Sequence, residues 1–403
     1  MSAAAGAKRT IAELAAAAVD GRRALVRVDF NVPIKNGVVG DDTRIRAALP
    51  TITALKGKGA KVVLLSHLGR PKGGGYEEKY SLKPVARALE TLLGCPVTFI
   101  PDAASPEAAR VTRELPRGGI ALAENTRFLP GEEKNDAATA RLFAALGDFY
   151  VNDAFGSAHR GHASTEAVAH LLKPAVSGLL MEKELLYLGR ALAEPRRPFV
   201  AVLGGAKISG KIDVIERLLP KVDRILIGGA MACTFFKARG GAVGASLVED
   251  DRLDMARDLL QRGGAKIMLP TGGVVAQGID QPESRREVAW NAVPDGWAMY
   301  DIDAASGRAF ASEIVTAATV VWNGPMGVFE TKPFDEGTIA VAQALAEATA
   351  KGAVTVVGGG DSAAAIAAAG LETRVTHVST GGGASLEFLE GKVLPGVAAL
   401  DDR

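Results

Sequence analysis

Cysteine is nearly absent: the 403-residue chain has two, Cys95 and Cys233, far apart and without metal-ligand spacing. That excludes a disulfide-built secreted fold and suits a reducing compartment. Excess charge is missing as well. Lys and Arg number 47 against 46 Asp and Glu, a net charge of +1, so no overall field holds the chain to nucleic acid or anionic lipid, and any anion site is local. No uninterrupted apolar run reaches the ~20 residues of a membrane span. The stretch up to Val19 carries Lys8 and Arg9 but no long apolar segment, so it does not read as a secretory signal. A soluble, cytoplasmic protein with no membrane or nucleic-acid partner is expected. Neither GxGxxG, GxxxxGK[ST] nor HExxH occurs, and there is no short tandem repeat.

What is present suits a folded enzyme. Hydrophobic residues make up 48% and charged residues 23%, enough apolar material for about two cores of roughly 200 residues each. Glycine is over-represented, 47 residues against a usual ~7% of a chain. The first half alternates β-branched runs (25–28, 61–65, 97–100, 120–123, 149–151) with helical patterns such as 82–93 and 137–146, the signature of a parallel α/β sheet. Apolar residues from Ile11 to Val19 predict an N-terminal helix stopped by Gly21. In the second half six runs (199–203, 225–227, 267–269, 319–322, 354–357, 375–378) each lead into a glycine-rich turn, including Pro270-Thr271-Gly272-Gly273. Turns need glycine in any case, but six together suit the carboxyl edge of one sheet, where open α/β folds bind ligands. Between the halves a proline-bracketed helical pattern reads as a connector, giving expected segments 1–175, 176–195, 196–384 and 385–403.

Polar residues follow the first-half strands: Arg27, Asp29 and Asn31, then Arg44, His67 and Arg70, Arg127, and His159, Arg160 and His162. On one sheet edge they make a guanidinium- and imidazole-lined cleft for a small ligand with phosphate and carboxylate groups. Arginines beside the histidines oppose zinc; His170 and His377 have no distinctive context. In the second half Lys207 and Lys211 follow Gly204-Gly205. If a helix begins there, both ammoniums lie on one face near its amino end. Asp361, after Gly359-Gly360, either holds Mg²⁺ or caps a helix over 362–369. Glu330 can accept hydrogen bonds from a ribose. Together these residues point to phosphoryl transfer between a small anion and a nucleotide.

The segments RVDFNVP (27–33), SHLGRPKG (66–73), ENTRF (124–128), YVNDAFGSAHR (150–160), GGAKISGKID (204–213), WNGPMGVFE (322–330), GGGDSA (358–363) and HVSTGGGASLEFLEGK (377–392) resemble, in order, the phosphoglycerate kinase family. The resemblance implies a two-lobed, Rossmann-like α/β/α monomer that closes about a hinge, its last residues returning to the first lobe. The implied glycolytic reaction is transfer from 1,3-bisphosphoglycerate to MgADP, giving 3-phosphoglycerate and MgATP. It also implies 3-phosphoglycerate contacts at Asp29, Phe30, Asn31, Arg44, His67, Leu68, Gly69, Arg70, Arg127 and Arg160. Nucleotide contacts are implied at Lys207, Glu330, Gly359, Gly360, Asp361 and Ser362, Mg²⁺ at Asp361, and transfer residues at Arg44, Lys207 and Lys211. The chain departs from the family pattern at Thr271-Gly272-Gly273 and Gln277. A non-catalytic relative would be expected to lack a transfer residue, and a nicotinamide-dependent dehydrogenase does not require so many guanidiniums.

Overall fold

The computed structural model describes residues 8–72 and 74–403; the first seven residues and Gly73, the last residue of the SHLGRPKG segment, lie outside them. Two compact units result, one from the described residues up to Leu186 together with Val393–Arg403, the other from Tyr187–Lys392.

The first unit is built on strands β1 (Arg23–Arg27), β2 (Lys61–Leu65), β3 (Val97–Ile100), β4 (Ile120–Ala123), β5 (Phe149–Asn152) and β6 (Ala175–Ser177). They form one parallel sheet in the order β3-β4-β2-β1-β5-β6. Successive side chains point to opposite faces, and both faces are covered. Ala24, Val26, Val62, Leu64, Ile120 and Val151 join one apolar core, while Leu25, Val63, Leu65, Ala121 and Tyr150 join another. That two-sided burial explains why the strands read as nearly continuous apolar runs. The strand order reverses between β1 and β5, placing a ligand crevice beyond their carboxyl ends.

The second unit repeats the plan with β7 (Phe199–Leu203), β8 (Arg224–Ile227), β9 (Ile267–Met268), β13 (Thr319–Asn323), β14 (Val354–Gly358) and β15 (His377–Val378). All six are parallel, in the order β9-β8-β7-β13-β14-β15. A second sheet, unanticipated, joins β10 (Gly272–Ala276) antiparallel to β11 (Arg286–Ala289) and β12 (Ala298–Ile302). Gly272-Gly273 is therefore strand and not turn. A Cβ on Gly272 would come within 2.6 Å of the Asp303 carboxylate and the Val288 carbonyl, so close approach is what glycine serves there.

The expected N-terminal helix is broken into a 3₁₀ turn (Ile11–Glu13) and a single turn (Ala16–Val19). Thr10 and Glu13 form a capping box, and the Lys58 ammonium takes the carbonyls of Ile11 and Leu14 at 2.7 Å each, competing with helix continuation. The connector helix spans Leu179–Ala193. Its amino end is satisfied from below: Asp153 accepts from Leu180 N (2.9 Å) and Met181 N (3.2 Å), and Thr51 Oγ1 from Leu179 N (2.9 Å). The returning segment pairs Lys8 with Asp402 (2.7 Å), Arg9 N with the Asp401 carbonyl (2.9 Å) and Asn152 Nδ2 with the Gly396 carbonyl (2.9 Å). The return begins at Val393; the helix Gly383–Leu389 belongs to the second unit.

Burial lifts the Asp153 carboxyl to about 7, despite bonds from Thr51, Met181 and Leu180 that favour its ionised form. The native state then binds this proton more readily than the unfolded chain between about pH 4 and pH 7, so Asp153 costs stability as pH rises through that window. The urea midpoint of D153N is expected to fall less between pH 5 and pH 8 than that of the parent; equal slopes would contradict the shift.

Candidate active site

At the β1 end Arg27 does not line a cleft. Fully buried, it donates from Nε to Ser164 Oγ (2.8 Å) and from Nη2 to His67 Nδ1 (3.1 Å), while Ser164 bonds Glu132. A guanidinium only donates, so Nδ1 of His67 accepts and its proton resides on Nε2. Burial, with the charges of Arg27, Arg127 and Arg160, outweighs Asp29 and holds His67 well below the usual histidine range. His67 is a neutral donor. Burial and the same three arginines bring His162 down to about 4, which leaves these imidazoles among positive charge, unsuited to a cation.

Asp29 is pushed up by burial but ends below its ordinary value, because its interaction with the His67 imidazole, the charges of Arg44 and Arg27 and the Asn31 N–H outweigh the burial. Arg44, in the first turn of the helix Thr43–Gly57, pairs with it at 2.9 Å. Asn31 Oδ1 accepts from Gly69 N (2.8 Å), Phe30 N donates to Ser66 Oγ (2.8 Å), and Asn125 Nδ2 donates to the Leu68 carbonyl (2.8 Å). Arg127 donates to the Gly69 carbonyl (2.6 Å), and Arg160 Nε to His159 (3.2 Å). Asp29, Asn31, Arg44, Gly69 and Arg127 are thus one bonded network at the switch point, with His67 and Arg160 coupled to it through charge and Arg70 exposed beside it.

In the second unit the helix begins only at Ile212, with Lys211 its N-cap residue, so Lys207 and Lys211 do not share a helix face. Glu249 explains why. Its carboxylate accepts from Ser209 N (3.0 Å) and from the Ser209 hydroxyl, holding the segment between the lysines as a loop. No motif marks this glutamate. Lys211 donates to Asn323 Oδ1 at the end of β13, and burial lowers its ammonium to about 8, partly offset by Asp361 and Glu390. Lys207 and Glu330 are exposed.

Several of the strand-end glycines serve neighbouring loops before any ligand. A Cβ on Gly204 would lie 2.1 Å from the Pro325 carbonyl, and one on Gly229 2.5 Å from Gly205 N. Gly359 differs: at φ +93 it turns the chain into the helix Gly360–Ala368 as its N-cap residue. Asp361 lies inside that first turn, so it does not cap the helix. Ser362 is buried and its hydroxyl accepts from Gly324 N (2.6 Å). What Gly360, Asp361 and Ser362 offer a phosphate is their first-turn N–H groups. The exposed Asp361 carboxylate, with no three-residue metal cluster among the described residues, suits Mg²⁺ carried on phosphate and water oxygens.

The Phosphoglycerate kinase family description matches residues 14–392. The chain belongs to the phosphoglycerate kinase family. The phosphoglycerate kinase of Chloroherpeton thalassium is 54% identical over 398 residues, covering 98% of this chain and 99% of that one. Among solved structures, phosphoglycerate kinase from Coxiella burnetii is 40% identical with a TM-score of 0.87, covering 97% of this chain and 98% of that one. The Pyrococcus horikoshii OT3 enzyme is 34% identical with a TM-score of 0.81, covering 94% and 96%. The chain is accordingly a kinase, acting in glycolysis by phosphoryl transfer between 1,3-bisphosphoglycerate and ADP.

Proposed function

We propose that transfer is direct and in line, with the three-carbon substrate on the first unit, the nucleotide on the second, and hinge closure bringing both to one phosphoryl group. The attacking atom is a phosphate oxygen of ADP or, in reverse, a carboxylate of pKa near ~3.5. Both are ionised at neutral pH, so no general base is needed. The observation that carries this reading is the state of His67, whose Nδ1 is occupied by Arg27 and whose Nε2 holds the proton: it can donate to substrate but not take a proton. Asp29, Phe30, Asn31, Leu68, Gly69, Arg70, Arg127 and Arg160 hold 3-phosphoglycerate alongside it. Arg44 and Lys211, with Lys207, face the moving PO₃ group, and Glu330 meets the ribose. Gly359, Gly360 and Ser362 meet the nucleotide phosphates and Asp361 holds Mg²⁺, which when bound offsets phosphate charge.

The protein acts as a cytoplasmic monomer on small molecules alone, a reading that the balanced charge supports; no described helix is long and apolar enough to cross a membrane. The test follows NADH loss with ATP, Mg²⁺, 3-phosphoglycerate and glyceraldehyde-3-phosphate dehydrogenase. Loss that needs all three additions is expected; a folded protein that binds MgADP without turnover would overturn the reading.

A further inference from the structure

Asp301, near the end of β12, has no part in the scheme above and is 1% exposed. Its Oδ1 accepts from its neighbour Ile302 N and its Oδ2 from Gly337 N, both at 2.8 Å. The carboxyl occupies space that only glycine leaves: a Cβ would lie 2.3 Å from Oδ1 at Gly327 and 2.5 Å at Gly337. Adjacent contacts bind the same segment. The Tyr300 carbonyl accepts from Val328 N (2.8 Å), the Tyr300 and Phe334 rings lie 5.0 Å apart, and Thr338 Oγ1 accepts from Met326 N (3.0 Å).

The loop 324–334 is thus fastened through Met326 near its start to the helix that begins at Glu336, and through Val328 and Phe334 to β12, with the Asp301 carboxyl packed against it at Gly327. At its base is Asn323, the acceptor for Lys211; on its outer part is the exposed Glu330. Burial, with Glu336 and Asp335 nearby, raises the Asp301 carboxyl to about 8. An apolar side chain would fill this place without that cost, so the carboxyl is retained for the two N–H groups it collects.

We infer that Asp301 is a positioning residue for the nucleotide: it fixes the loop 324–334 so that Glu330 meets the ribose, an inference that rests on the assignment of Glu330 above. Asparagine in its place turns an amide NH₂, which cannot accept, toward one of the two N–H groups. D301N is therefore expected to raise the KM for ADP about tenfold, the effect of leaving one buried N–H unpaired, with the KM for the three-carbon substrate unchanged. G337A, whose Cβ would meet the same carboxyl at 2.5 Å from the helix side, gives the same split and serves if D301N does not fold. E330Q is the control. A raised ADP KM in E330Q but in neither other variant overturns the role of Asp301 alone. An unchanged ADP KM in E330Q removes the Glu330 assignment and the inference with it. A lower melting temperature with both KM values moving together, or neither, marks a merely structural carboxylate and also overturns it.

Discussion

Replacing Arg44 by alanine is expected to lower kcat by about 10²–10³, the loss typical of one oriented donor to developing charge. One guanidinium nitrogen is held by Asp29 at 2.9 Å, which leaves the rest of the planar fork for the phosphoryl group. Arg44 also stands in the first turn of its helix, where the backbone dipole adds to the positive field. R44K should recover only part of the loss, because an ammonium is a point charge that cannot pair with Asp29 and a phosphoryl oxygen through separate arms of a fork. The check is steady-state turnover in both directions, with near-ultraviolet circular dichroism to show that the variant is folded. Near-normal turnover in folded R44A would remove Arg44 from the transfer site.

Lys211 carries the second large effect, and its size is pH-dependent. With the ammonium brought down to about 8 by burial, the free protein is mostly charged at pH 7 and mostly neutral at pH 9. The kcat/KM for ADP, which reports the free protein, should therefore fall above pH 8. In the complex, phosphate oxygens favour the charged ammonium, so the limb in kcat lies at higher pH. K211R keeps its charge throughout and should flatten the alkaline limb at a lower absolute rate; K211A should lose about 10²–10³ in kcat where the parent's ammonium is charged, and less as that ammonium deprotonates. An alkaline limb that persists unchanged in K211R would assign the titration to another group.

Most of the sheet framework was legible because strands buried on both faces must be apolar throughout, and runs such as 61–65 and 199–203 end where the strands end. What escaped depended on partners distant in sequence. The N-terminal periodicity was real, and Ile11, Leu14 and Val19 are buried, but Lys58, far along the chain, interrupts the helix. Gly272-Gly273 looked like a turn because a strand under steric pressure from Asp303 and Val288 uses the same residue. At the site the charged side chains announced themselves through their number at strand ends. Arg27 belonged to that group by position, yet the fold turns it inward to set the tautomer of His67. Glu249 and Asp301 bear no motif: one holds a loop through Ser209, the other ties β12 to the start of a helix through Gly337, and neither pairing has a signature in a single sequence.

The first unit is discontinuous in the chain. During synthesis, Val393–Arg403 emerges only after the whole of Tyr187–Lys392. Most of the second unit therefore emerges while β5 and β6 still lack the Gly396 and Asp401 groups that bond Asn152 and Ala175. At about 5–20 residues per second this delay is on the order of ten to forty seconds. Over that interval the half made first is the half that waits, and a clip near the carboxyl terminus would be felt in β5 and β6, strands that left the exit tunnel long before it.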